Sequence, residues 1–378
     1  MLDFIISAIA FVLIFTVLIY VHELGHFWAC RWAKIRVEEF GFGLPPRIWG
    51  KKIDKTLWSI NWIPLGGFVR PYGEDSHDKK VIKNKESFPA ASTFRRFVVL
   101  IAGVGMNFLF AFLFLTVLFS VGVHPLAVVS DDAGLSGKSL VFLTEKAAIE
   151  KGLIDKETAG IEIHEVLDDS PFKDVLKKGD KIKRIDGNKI LLLSQFISRK
   201  ENGGRVLDLE ILRGEEVIQE KITLPEDRKI GIKISGGIVN REKAFFRFPI
   251  YLAPLYAAKE TVILTWENFR LFKKLFLNFK EAKKNVSGPV GIAKATDSIV
   301  KTRDFSNLVL FMVLLSISLG TVNILPFPAL DGGRLVFIVY EVITRKKPNA
   351  KVERVVNAAG MAFLLILLAV VSFYDFFR

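Results

Sequence analysis

His22, Glu23 and His26, within "YVHELGHFWA" (residues 20–29), are the residues whose types and spacing speak most directly of chemistry. Two imidazoles four apart on a helix share a face and can reach one ion. Glu23 lies one position round, close enough to take a proton from water activated there without ligating the metal. The chemistry implied is metal-assisted hydrolysis. Such spacing also arises by chance, and the plain alternative is a helix end with interfacial histidines. The preceding run, "MLDFIISAIAFVLIFTVLI" (residues 1–19), favours the first reading. It is of membrane-spanning type, and ionisable groups in a span are costly and usually functional.

A hydrolytic zinc takes three protein ligands and leaves a fourth position open. The third ligand must therefore come from another element at the same depth. His77, His124 and His164 fall in loops or in the long segment between spans and read as surface histidines. "SLGTVNILPFPALDGGR" (residues 318–334) offers Asp331 at the end of an apolar run. Pro326 and Pro328 break the helix before it, and Gly332 and Gly333 follow. Irregular backbone at membrane depth is tolerated only where protein buries it or where it lines a wet cavity. The alternative is that Asp331 caps the next helix.

Four apolar segments supply the frame: residues 2–21, 97–123, 308–325 and 355–373, each near the roughly 20 residues that cross the hydrocarbon core. The first lacks a basic flank and a small-residue cleavage site, so it is expected to stay in the chain rather than act as a signal peptide. Arg31, Lys34, Arg36, Arg95 and Arg96 lie between the first two spans; Arg345, Lys346, Lys347, Lys351 and Arg354 lie between the last two. Both loops read as cytoplasmic, which puts both termini and residues 124–304 outside. The net charge of +13 is scattered along the chain and forms no nucleic-acid motif, so membrane lipid is the simpler partner. The single cysteine, Cys30, excludes an internal disulfide framework.

HELGH in a first span, with Asn323, Pro326, Pro328, Leu330, Asp331 and Gly332 in the pattern N-x-x-P-x-P-x-L-D-G, resembles the site-2 protease family. The similarity is greatest to its bacterial regulator-of-sigma-E protease (RseP-type) branch. "GFGLPP" (41–46), "IPLGGFVRPYGED" (63–75) and "SGPVGI" (287–292) extend the match over nearly the whole chain. The resemblance implies one zinc held by His22, His26 and Asp331, water activation by Glu23, and oxyanion stabilisation by Asn323. It implies an enzyme of the bacterial inner membrane that cuts transmembrane segments of pre-trimmed proteins, such as anti-sigma factors and signal-peptide remnants. One departure is Val104, where the family often has proline in G-P-x-x-N; it bears on the backbone near Asn107.

Three further segments complete the expected architecture. Residues 57–73 alternate apolar and polar positions about Gly66-Gly67, which predicts a hairpin turning there. By resemblance it dips into the membrane, with Gly66, Gly67 and Phe68 on an edge to which extended substrate adds. Residues 160–224 carry short β-rich runs, and "SPFKDVLKKGDKIKRIDGNKI" resembles one PDZ domain, with a bound peptide end or steric filtering as its role. Residues 243–284 mix aromatics with Lys and Arg, as in interfacial amphipathic helices; a tilted fifth span through 248–269 is disfavoured by Lys259 and Glu260.

The expected fold is thus an α-helical membrane protein: about four transmembrane helices, a membrane-associated β-hairpin, and an inserted extracytoplasmic PDZ-like α+β domain. The expected divisions are 1–123, 124–240, 241–304 and 305–378. The competing function is a PDZ-bearing membrane scaffold with a structural zinc, but a structural site has no use for Glu23.

Overall fold

The computed structural model describes residues 2–74, 78–129, 135–153, 161–168, 170–190, 206–224, 231–235, 245–277 and 288–376. His77 lies outside them, as do parts of the 160–224 and 243–284 segments. Two units form: residues 1–118 with 250–378, and residues 119–249.

The first unit begins with α1 (Leu2–Trp32), which continues from the apolar run straight through the histidine motif. Two long strands follow, β1 (Val37–Ile53) and β2 (Thr56–Pro71). Then come the short α2 (Lys79–Ile82), a 3-10 turn (Phe88–Ala90) and α3 (Thr93–Val121). Where α3 passes α1 the contact is made by small residues. A Cβ on Gly25 would sit 2.3 Å from the Ala102 carbonyl oxygen, so the backbones approach as only glycine allows. Ile14 and Leu18 of α1 are buried with Phe110 of α3.

The turn between β1 and β2 is not at Gly66-Gly67. It falls at Asp54-Lys55, where Asp54 takes a φ of 54°, and both glycines lie inside β2. The reason is visible in the register. Residues 39–42 pair on one side with 57–60 and on the other with 67–70. One folded hairpin therefore makes a sheet in which 67–71 is an edge, and Gly66 (φ 92°) bends β2 so that it can return. A side-chain alternation broken by glycine looks the same in sequence whether the chain turns or bends.

The second unit holds a small parallel pair, β3 (Ala127–Val129) and β4 (Phe142–Thr144), with α4 (Glu145–Glu150). Its larger sheet comprises β5 (Ile161–Val166), β6 (Lys181–Ile185), β7 (Asn188–Lys189), β8 (Val206–Arg213), β9 (Glu216–Thr223) and β10 (Ile232–Ser235). The order is β10-β5-β6-β8-β9, with β7 paired to β6. Asp186-Gly187, both at positive φ, close the β6–β7 hairpin as a primed turn, and Gly214 serves the β8–β9 turn. Alternate residues, among them Ile161, Ile163, Ile182, Leu209 and Ile211, bury one face with Phe172 and Leu176.

The first unit resumes with α5 (Ala253–Leu277), α6 (Pro289–Lys301), α7 (Phe305–Asn323), α8 (Asp331–Thr344) and α9 (Ala350–Phe376). Among the described residues, α1, α3, α7 and α9 are the helices long and apolar enough to cross a membrane. The four expected spans coincide with them, and α5 is not one of the set. Asp331 does not end the third span. That span stops at Asn323, and Asp331 opens the separate helix α8, which the sequence reading left as loop. The Gly332-Gly333 pair disguised it. A Cβ at either position would lie 2.2 Å from a carbonyl oxygen (Leu325 for Gly332, Phe327 for Gly333). These glycines let α8 start hard against the preceding proline turn.

Candidate metal centre

His22 and His26 lie on the face of α1 turned toward α3 and α8, and both are buried. Room for them is made by Gly103 of α3, where a Cβ would lie 2.4 Å from His26 Nε2 and 2.8 Å from His22 Cε1. Asp331 enters from the first turn of α8. The three side chains converge on one point: His22 Nε2 and Asp331 Oδ2 are 3.1 Å apart, His26 Nε2 and Asp331 Oδ2 3.3 Å, and the two Nε2 atoms 3.1 Å.

Those distances are the test of fit for a metal. Zinc with nitrogen and oxygen ligands at about 2.0–2.1 Å has tetrahedral edges of about 3.3 Å, close to all three separations. The hydrogen bonds agree. His26 Nδ1 lies 2.8 Å from the Val99 carbonyl oxygen and must donate to it, which leaves its Nε2 as a bare lone pair. His22 Nδ1 is 3.1 Å from the side-chain amide of Asn107. Asn107 Oδ1 is otherwise buried without a partner, so the consistent arrangement has Oδ1 accepting the His22 Nδ1–H. Both Nε2 lone pairs then face Asp331 Oδ2, which is buried and makes no well-aligned hydrogen bond. Three acceptors packed this closely need a cation among them. No other cluster of three or more His, Cys, Asp or Glu with this convergence occurs among the described residues.

A cavity of about 370 Å³ opens on this cluster. Glu23 lines it from α1, and Gly67, Phe68 and Val69 line it from the edge segment of β2. Gly67 is close to Glu23: a Cβ there would stand 3.5 Å from Glu23 Cγ. Asn323, the last residue of α7, also lines the cavity, with its Nδ2 3.5 Å from His22 Nε2. Of the residues the sequence singled out, His22, Glu23, His26, Asn323, Asp331, Gly67 and Phe68 come together, whereas Gly66 is not in the lining. His124 and His164 lie in the other unit.

Two participants escaped the sequence reading. Asn107 orients His22, and Gly103 makes space for both imidazoles. The signal for them was "GVGMN" in the second span, where small residues and one amide interrupt an apolar run. Arg334 is a third, paired with Glu74 at the cavity wall.

Comparison with known proteins agrees with this chemistry. The pattern of Peptidase family M50 matches residues 10–367. The regulator of sigma-W protease RasP of Bacillus subtilis is 30% identical over 368 or more aligned positions (458 in all), covering 99% of each chain. A Clostridium perfringens protein whose name proposes a zinc metalloprotease is 30% identical over 368 residues, 96% of each chain. The zinc metalloprotease RasP of Bacillus licheniformis is 27% identical, covering 98% of this chain and 99% of its own. A buried two-histidine, one-carboxylate cluster beside a free glutamate, in a chain matched from end to end, has one reading: the protein belongs to peptidase family M50, the site-2 proteases, and is a zinc metalloprotease.

Proposed function

We propose that this protein cleaves peptide bonds within or beside the transmembrane segments of other membrane proteins, at a zinc held by His22, His26 and Asp331. The observation that carries the proposal is the convergence of those three donors, within 3.3 Å of one another, on a helix that is itself long and apolar enough to span a membrane. Bound there, zinc supplies Lewis acidity, lowering the pKa of water and polarising a carbonyl.

The remaining work belongs to the chain. Glu23 accepts the proton of the attacking water and passes it to the leaving amine. Asn323, with its amide beside His22, donates to the oxyanion as the carbonyl carbon becomes tetrahedral. Edge residues 67–71 pair with substrate backbone, since they hydrogen-bond to strand partners on one side only. A helical substrate hides its peptide bonds, so pairing as a strand also exposes the bond to be cut. His26, through Val99, and His22, through Asn107, hold their Nε2 atoms toward the metal. The scaffold alternative, with zinc as a structural ion, leaves Glu23 without a task.

The Lys- and Arg-rich loops 33–92 and 345–354 face the cytoplasm in this reading, and the termini and the second unit face outward, in a bacterial inner membrane. The sheet of the second unit, PDZ-like in its glycine-aspartate turns, admits substrates already trimmed outside: anti-sigma factors and signal-peptide remnants. Membrane proteomics of cells expressing wild type or Glu23→Gln tests this. The variant should accumulate membrane-embedded stubs that wild type removes. Identical stub profiles would contradict it. Reporter fusions after residues 75 and 348 should score as cytoplasmic and one near residue 200 as external.

A further inference from the structure

Next to the metal cavity lies a larger one, of about 570 Å³. The two share Glu74, Leu100, Ala329 and Arg334 in their walls, and the Arg334–Glu74 ion pair stands between them. This second cavity is built from the beginnings of α3 and α9 and from α8, at the end of the helices that carries Arg95, Arg96, Lys347, Lys351 and Arg354. On its wall Arg96 Nη2 donates to Glu341 Oε1 at 2.7 Å, in a pair only about one-eighth exposed. Each partner keeps one polar atom back. Arg96 Nε and Glu341 Oε2 are buried and hydrogen-bond to nothing among the described residues.

One unused donor beside one unused acceptor is the complement of a peptide unit, which offers one C=O and one N–H. Apolar neighbours, Phe337, Ile338 and Met361, suit side chains of the same segment. The route is continuous. Edge residues 67–71 lead to Glu74, so a chain paired along that edge runs past the ion pair into the second cavity. Ten helical residues separate Asp331 from Glu341, about 15 Å along α8, or about four to five residues of extended chain.

We propose that the second cavity is a substrate subsite: it takes the four to five residues on the cytoplasmic side of the bond cut, binding their backbone through Arg96 and Glu341, with Arg334–Glu74 as the threshold. This rests on the proteolytic reading and the orientation given above. It gives the enzyme a grip on the polar flank of a transmembrane segment, beyond the apolar stretch that all such segments share.

Disulfide trapping in the full-length Glu23→Gln protein tests it. Cysteines are placed at Ala358, in the second cavity, or at Val69, in the metal cavity; native Cys30 is fully buried. A model transmembrane peptide carries a single cysteine moved stepwise through its sequence. Ala358→Cys should trap peptide cysteines about four to five residues from the cut on the cytoplasmic side, and Val69→Cys those at the cut itself. Trapping at Val69→Cys without any at Ala358→Cys, or trapping at Ala358→Cys from the outer side, overturns the subsite and leaves the proteolytic reading standing. No trapping at either position overturns both. As a second measure, Ala358→Trp in the active protein should lower cleavage of a long-flanked peptide about tenfold, the scale of steric misfit in a pocket, and spare one truncated two residues beyond the cut. Equal losses for both peptides overturn the proposal.

Discussion

Two buried carboxylates show how differently the two units treat charge. In the second unit Asp180 is buried, and Arg213 meets both its oxygens, Nε to Oδ1 at 2.8 Å and Nη2 to Oδ2 at 2.7 Å. The Lys177 amide adds a bond at 2.8 Å. Burial pushes this carboxyl up, but those bonds outweigh it and hold it below the usual carboxylate range. In the first unit Asp331 faces two imidazole nitrogens that carry no proton toward it, and its buried oxygen makes no well-aligned hydrogen bond. An acid closed off by a guanidinium is finished, and its work is to hold the fold. An acid surrounded by other acceptors is waiting for a cation. The contrast separates structural from chemical polar groups with no reference to motif.

Substitutions can break this contrast at either end. The largest effect is expected at Glu23. Glu23→Gln keeps the shape of the side chain but cannot take a proton, so cleavage should fall at least about a hundredfold with zinc retained. Near wild-type turnover in a peptide assay would mean that another base acts.

Gly103→Val comes next. Its new side chain would occupy the space of the His26 ring, with even a Cβ 2.4 Å from Nε2. Zinc content should drop and cleavage vanish, while circular dichroism keeps the helical signal. A fully metallated, active variant would show that α3 does not pack as described.

A smaller loss follows from Asn107→Leu, which leaves His22 Nδ1 without its partner. Zinc affinity should weaken about 10- to 100-fold, the usual effect of removing such support, as read by competition with a chelator. Asn107→Asp, able only to accept from Nδ1–H, should retain binding; loss there would put the donor on the wrong atom.

The smallest effect lies in the second unit. Arg213→Leu should destabilise its sheet by about 2 kcal/mol, the scale of a hydrogen bond to a charged group, leaving zinc and peptide turnover intact. Because the Asp180 carboxyl is lowered in the folded state, its contribution is complete above the ordinary carboxylate range and is lost as pH falls through the lowered value. Hydrogen exchange of β8 and β9 against pH should show that loss in wild type and not in the variant.

Much of the metal centre was legible because its ligands are rare residues in apolar surroundings. His22, His26 and Asp331 each stand out from a span or its end, and the four spans follow from length and hydropathy alone. What sequence hid was packing. Gly103 and Gly25 look like any small residues of a membrane helix until a neighbour's distance gives them a role. The Gly66-Gly67 pair suggested a turn, but the return pairing of 67–70 with 39–42 is a long-range contact that local alternation does not encode. Helix α8 was concealed by the two glycines that let it begin so close to the proline turn. Arg96 and Glu341 are 245 residues apart, and nothing in either neighbourhood announces the pair.

The central claim is that three side chains, one of them from a separate helix, hold a single zinc. It is tested most directly by the metal content of purified wild type, Glu23→Gln and Asp331→Ala, measured together by elemental analysis after mild dialysis. The account predicts one zinc per chain in wild type and in Glu23→Gln, and little or none in Asp331→Ala. One zinc per chain in Asp331→Ala would contradict it.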